Sequence, residues 1–212
     1  MMYYNIHTHE STHKADVVEL INQYPNEINL GLTSFSVGIH PWYLKLDSLT
    51  NDLSKIEEVL NYANCKAIGE CGLDKRIETS IEDQKKALIP QLLLAEKYKK
   101  PVVLHCVSAY QEIIEIKKDL KLTVPMIIHG FSKNNQVATS LLKNDFYLSF
   151  GKYLLLNPDL GNVLNAIPKN RIFLETDMME HTIYDVYNRA EEVLQIDVKN
   201  IIEENYKRVF NP

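Results

Sequence analysis

Short apolar runs rich in branched residues recur along this chain, and several end on a histidine or a carboxylate. Met2-Tyr3-Tyr4-Asn5-Ile6 leads into His7 and His9, Lys66-Ala67-Ile68-Gly69 into Glu70, and Pro101-Val102-Val103-Leu104 into His105. Further on, Pro125-Met126-Ile127-Ile128 leads into His129, and Arg171-Ile172-Phe173-Leu174 into Glu175-Thr176-Asp177. Apolar runs of this length mark strands buried on both faces. Longer stretches with helical spacing lie between them, as with Leu88, Leu92, Ala95 and Tyr98 in the span from Ile81 to Lys99. Strands alternating with helices build a parallel sheet, and metal-type side chains at strand C-terminal ends are the arrangement of a barrel with its site on that face.

The expected fold is therefore α/β, a TIM-type (β/α) barrel of about eight parallel strands. Candidate strands are 3–7, 17–23, 35–39, 66–70, 102–106, 125–129, 146–150 and 171–175. Helices are expected at 48–62, 80–99, 108–119, 133–143, 156–166, 184–194 and 197–208, with Pro90 ending or kinking a turn of the second. The spacing from His7 to Val17 is at the lower limit for a crossover with its own helix. The stretch from Tyr24 to Ser34, holding Pro25, Asn26, Asn29 and Gly31, reads as loop. The helical coat should thus be reduced around the first two strands.

A length of 212 residues suits one domain over 1–212, and no linker, repeat or low-complexity tract divides it. The N-terminus lacks the basic region and sustained apolar stretch of a signal peptide, and no run reaches membrane-spanning length. The three cysteines, Cys65, Cys71 and Cys106, lie in or beside expected strands. Buried free thiols in a cytoplasmic protein are the simplest account of them.

His7 and His9 stand two apart on a strand, so both imidazoles project to one side. Such a pair makes half of a divalent-metal site, and imidazole suits zinc, nickel, iron or copper. Taken singly, each later residue has an ordinary alternative: Glu70 as a salt-bridged strand end, His105 or His129 as a satisfied core histidine. Net charge is −5, which leaves no basic surface for gripping a duplex. Any attraction for nucleic acid has to be local, from bound metals and from a basic pair such as Lys75-Arg76. That pair serves equally as a solvated loop.

Six motifs in order, His7-Thr-His9, Gly38-Ile-His40-Pro41, Ile68-Gly-Glu70-Cys-Gly72-Leu-Asp74, Pro101-Val-Val-Leu-His105, His129-Gly-Phe-Ser132 and Leu174-Glu-Thr-Asp177, resemble those of the TatD family. These are metal-dependent hydrolases of the amidohydrolase superfamily, several of them deoxyribonucleases. The resemblance runs from residue 3 to the closing segment Asn205-Tyr-Lys-Arg-Val-Phe210. It implies two divalent metal ions: His7, His9, Glu70 and Asp177 as ligands of the first, and Glu70 bridging to a second held by His105 and His129. It also implies catalytic roles for Glu70 and Asp177, the latter as general base, and allows zinc, manganese, magnesium or nickel.

Departures from the family pattern fall around the substrate. Asn5 and Glu10 stand where the family commonly has Asp, the segment from Thr8 to Gly38 is short, and Met178-Met179-Glu180-His181 replaces the usual loop after Asp177. Asn5 can still orient a ligand by hydrogen bonding. His40 is a candidate phosphate contact, with Lys75 and Arg76 as the other tentative substrate residues; a structural role for His40 at its strand end is nearly as good. His13 reads as a surface histidine, and His181 as an exposed loop histidine with a gate or substrate contact as the alternative. Trp42 and Tyr43 read as packing of a loop over the barrel mouth, with base stacking as the alternative. The leading function is phosphodiester cleavage in DNA or an oligonucleotide by a metal-activated water, single strands or 3′ ends being preferred. Hydrolysis of a small amide, ester or lactone is the second reading, and a non-catalytic binding module the third. Oligomeric state is not encoded in any motif.

Overall fold

The computed structural model describes residues 2–210. Eight strands, β1 (Tyr3–Thr8), β2 (Val17–Gln23), β3 (Phe35–Val37), β4 (Cys65–Asp74), β5 (Val102–Val107), β6 (Met126–Ile128), β7 (Phe146–Phe150) and β8 (Ile172–Leu174), form one sheet in chain order. Eight α-helices interleave with them: α1 (Leu49–Val59), α2 (Ile81–Tyr98), α3 (Tyr110–Asp119), α4 (Asn135–Lys143), α5 (Lys152–Leu156), α6 (Asp159–Ala166), α7 (Ile183–Leu194) and α8 (Lys199–Phe210). No α-helix lies between β1 and β2 or between β2 and β3, so the reduced coat is present where it was expected. The short α5 was not anticipated, and Pro158, at the start of α6, separates it from that helix.

The chain divides into two compact units, one running to Ile21 and resuming at Ile127, the other spanning Asn22–Met126. In the first, β1 pairs with β2 in parallel register, Tyr3 opposite Val17 and Asn5 opposite Glu19. β8 pairs with β7 and also reaches β1: the amides of Thr176 and Asp177 donate to the carbonyl of His7 at 3.3 and 2.9 Å. α7 and α8 cover these strands with aromatic side chains. Tyr187 is fully buried, and its hydroxyl accepts from the Tyr4 amide and donates to the Tyr4 carbonyl. Tyr206 packs on Tyr4, and Phe210 on Phe173, with ring centroids 4.7 and 5.8 Å apart. Each fully buried aromatic or branched side chain contributes about 1.5–3 kcal/mol.

In the second unit, β3, β4 and β5 pair in parallel, with Val37 opposite Ile68 and Gly72 opposite His105. β4 runs to Asp74, four residues beyond its expected end. Its extension is held from α2: Gln84 accepts the Asp74 amide at 2.7 Å and donates to the Asp74 carbonyl at 2.9 Å, as a neighbouring strand would. Gln91 does the same for Ile39, accepting its amide at 2.7 Å. These two buried glutamines explain why α2 continues through Pro90. The helix loses one backbone bond there, but its buried face of Gln84, Leu88, Gln91, Leu92 and Ala95 is anchored on both sides of the proline. At its C-terminal end Glu96 accepts the amides of Thr123 and Val124. Burial opposes the charge of Glu96, but the Lys99 ammonium and these donors outweigh it and lower the pKa to about 2. The three cysteines are free and buried, and burial pushes the Cys65 thiol up to about 11, so neither nucleophilic nor metal-thiolate chemistry starts there. Among the described residues no helix is long and apolar enough to cross a membrane.

Candidate metal centre

β1 ends in the first unit with His7 fully buried and His9 at the surface of the site. Asp177, just past β8, meets both: its Oδ1 lies 3.6 Å from His7 Nε2 and 3.3 Å from His9 Nε2. One ligand atom from each of the three falls within 4.8 Å of the others. Two imidazole nitrogens and a carboxylate oxygen form a donor set that fits a divalent ion. Asp177 adopts a left-handed φ of +54°, a conformation Asp tolerates better than most residues. Its neighbour is fixed from β1, where buried Asn5 donates to Thr176 Oγ1 at 2.8 Å and accepts the Thr176 amide at 3.1 Å. Asn5 thus orients the Asp177 backbone without adding charge. The His129 ring lies 4.4 Å from the His7 ring. Glu175, buried at the end of β8, sits 3.3 Å from His129 Nδ1 and accepts the Gly130 amide at 2.6 Å. With Nδ1–H donated to Glu175, Nε2 is the His129 nitrogen left to face an ion.

The second unit gathers His40, Glu70 and His105, all buried, again with ligand atoms within 4.8 Å. His40 Nδ1 accepts the Trp42 amide at 3.1 Å, so in the neutral ring the proton is on Nε2, which donates to Glu70 Oε1 at 3.0 Å. His40 therefore holds the carboxylate rather than competing for an ion. His105 lies between two acids, with Nδ1 2.8 Å from Glu70 Oε1 and Nε2 3.3 Å from Asp74 Oδ2. Burial raises the Asp74 pKa, but hydrogen bonds from Trp42 Nε1, the Arg76 amide and His105 outweigh it and keep the carboxyl below its ordinary value. A neutral imidazole has one proton for these two carboxylates. With Asp74 taking it, Nδ1 and the Glu70 carboxylate are left as two donor atoms 2.8 Å apart, a pair that suits a divalent cation. The residues fit a metal on that side of the ring.

Of the tentative substrate residues, Lys75 is ion-paired with Glu112 and Arg76 is exposed. His181 is exposed beside Asp177, where with His9, Glu10, Thr12 and Met178 it lines a cavity of about 330 Å³. Sequence reading gave no role to Asp74 and Glu175, each a carboxylate behind a metal-type histidine. Both stood inside quoted motifs, at the ends of runs carrying Glu70 and Asp177. Asp74→Asn is expected to weaken divalent-metal binding 10- to 100-fold, the usual cost of losing a carboxylate behind a ligand histidine. Zinc titration of the purified variant, read by equilibrium dialysis, checks this; a dissociation constant within twofold of wild type removes Asp74 from the site.

The sequence matches the family described as TatD related DNase over residues 2–211. It is 29% identical to the uncharacterized metal-dependent hydrolase YabD of Bacillus subtilis over 82% of this chain and 76% of that protein. It is 26% identical to the 3′-5′ ssDNA/RNA exonuclease TatD of Escherichia fergusonii, over 67% of this chain and 56% of that protein. The crystal structure of YJJV, a TatD homolog from Escherichia coli K12, superposes with a TM-score of 0.84 at 20% identity, covering 99% of this chain and 98% of that one. That likeness shows the fold class, the (β/α) barrel expected from the strand and helix alternation. From its first strand to its last helix, the chain belongs to the TatD related DNase family.

Proposed function

We propose that the chain is a metal-dependent nuclease that hydrolyses phosphodiester bonds in single-stranded DNA or at 3′ ends, using two divalent ions. The observation that carries this reading is the pair of histidine–carboxylate clusters, His7/His9/Asp177 and Glu70/His105, each with its own supporting residues. Bound there, divalent ions polarise a phosphoryl group and acidify an attacking water. The protein residues do the rest. Asp177, the most exposed member of its cluster, accepts the proton of the attacking water. His40 keeps Glu70 in place through Nε2–H, and Asp74 and Glu175 fix the tautomers of His105 and His129. Arg76 offers its guanidinium to a substrate phosphate, while Lys75 is engaged with Glu112. The −5 net charge supports short, local contacts over a grip along a duplex. Zinc, manganese, magnesium and nickel all suit these nitrogen and oxygen donors.

The test is cleavage of end-labelled single- and double-stranded oligonucleotides with manganese or magnesium, in the presence and absence of chelator. Wild type should degrade the single strand, chelator should stop it, and Asp177→Asn should lower turnover about 10²–10⁴-fold while retaining metal. If wild type and variant degrade DNA alike and only wild type hydrolyses a small ester or amide, the nuclease reading falls and a small-molecule hydrolase takes its place.

A further inference from the structure

Trp42 and Tyr43 were expected to pack a loop over the barrel mouth, with base stacking as the alternative, and both are exposed, Trp42 at 58% and Tyr43 at 59%. They lie on a single turn, Pro41–Tyr43, capped by His40. Trp42 is nevertheless firmly placed. Its Nε1–H donates to Asp74 Oδ2 at 2.8 Å, and the ring stands edge-on to His40 and His105, with centroids 5.1 and 5.7 Å away. Tyr43 stands beside it, its centroid 5.6 Å from that of His40. With the polar edge of the indole used on Asp74, what remains for an outside partner is an aromatic face.

We propose that Trp42 is a stacking platform for an unpaired nucleobase beside the phosphodiester being cleaved. This inference rests on the nuclease reading and specifies what the site grips. Three observations favour a nucleobase. The platform adjoins His40 and His105, so a base on it belongs to a nucleotide whose phosphate is near Glu70. The chain lacks a basic excess, so affinity that phosphate contacts do not supply has to come from elsewhere, and stacking supplies it without regard to base identity. The indole is also held rigid before binding, so little side-chain freedom is lost when a base lands. Bases in a duplex keep their faces covered by their neighbours, which makes the platform a selector for single strands.

Trp42 is the chain's single tryptophan, so intrinsic tryptophan fluorescence reports on this residue alone. Metal-free wild type should be quenched saturably by octathymidylate and not by an abasic octamer of the same backbone and charge. With metal added, Trp42→Ala should raise KM for octathymidylate roughly tenfold, and Trp42→Phe should recover most of the loss. Tyr62→Ala, an exposed aromatic elsewhere in the same unit, should match wild type. The penalty of Trp42→Ala on the abasic octamer should be several-fold smaller than on octathymidylate. Equal quenching by both octamers, or an equal penalty on both, would overturn the proposal. An equal penalty accompanied by lost metal would assign Trp42 to support of Asp74. Should wild type cleave neither octamer, the nuclease reading fails, and the metal-free fluorescence titration still decides whether a base stacks.

Discussion

Glu70→Ala is expected to lower kcat/KM on a single-stranded oligonucleotide by about three orders of magnitude or more, equivalent to some 4 kcal/mol of transition-state stabilisation. The carboxylate accepts from His40 and faces His105 Nδ1, so its removal takes away a charged donor and leaves two buried imidazoles without their shared partner. Bound metal per chain should fall in the same variant. Glu70→Gln separates charge from shape: the amide fills the space, yet it can present an NH₂ group to His40, which already has a donor there. Its activity should stay close to that of Glu70→Ala. Metal analysis by mass spectrometry alongside initial rates checks both, with circular dichroism confirming the fold. Activity of Glu70→Ala within tenfold of wild type would remove Glu70 from the centre of the mechanism.

The second large effect is structural. A Cβ at Gly72 would lie 1.8 Å from the carbonyl oxygen of His105 and 2.7 Å from its carbonyl carbon, both rigid backbone atoms. Gly72 also has φ of +157° and sits directly opposite His105 in the β4–β5 ladder. Gly72→Ala therefore has to push the two strands apart at the residue that carries a candidate ligand. A destabilisation on the order of 3–5 kcal/mol is expected, at the upper end for single substitutions. For a chain of this size that is a fall in Tm of roughly 10 °C or more, read by a thermal melt. A melt within about 2 °C of wild type would show that β4 and β5 separate at little cost.

The strand ends were readable because a strand buried on both faces has to be apolar, and a polar residue closing each run stands out. The missing helices between β1, β2 and β3 were readable from segment length alone. What failed to show were features fixed by partners distant in sequence. Pro90 reads as a break until Gln84 and Gln91 are seen clamping Asp74 and Ile39, which also explains why β4 outruns its expected end. Asp74 and Glu175 read as strand-end acids; their roles emerge from distances to one histidine nitrogen each. His40 was read as a phosphate contact or a strand-end residue, and the donated Trp42 amide makes it a hydrogen-bond donor to Glu70. Trp42 was read as loop packing with base stacking as the alternative; its hydrogen bond to Asp74, a partner distant in sequence, lets it stand outward and stay fixed.

The bare connections after β1 and β2 bear on how such a chain can change. Every candidate ligand sits on a strand or within a few residues of its end, and none on an α-helix. Helices can therefore be lost from the outside of the sheet without loss of a single donor, as between His9 and Ile39, where two connections do without them. The candidate ligands and the outer helices are thus structurally separable. Loops around the strand ends can be trimmed or enlarged while the candidate ligands, held by the strands and their ends, stay in place.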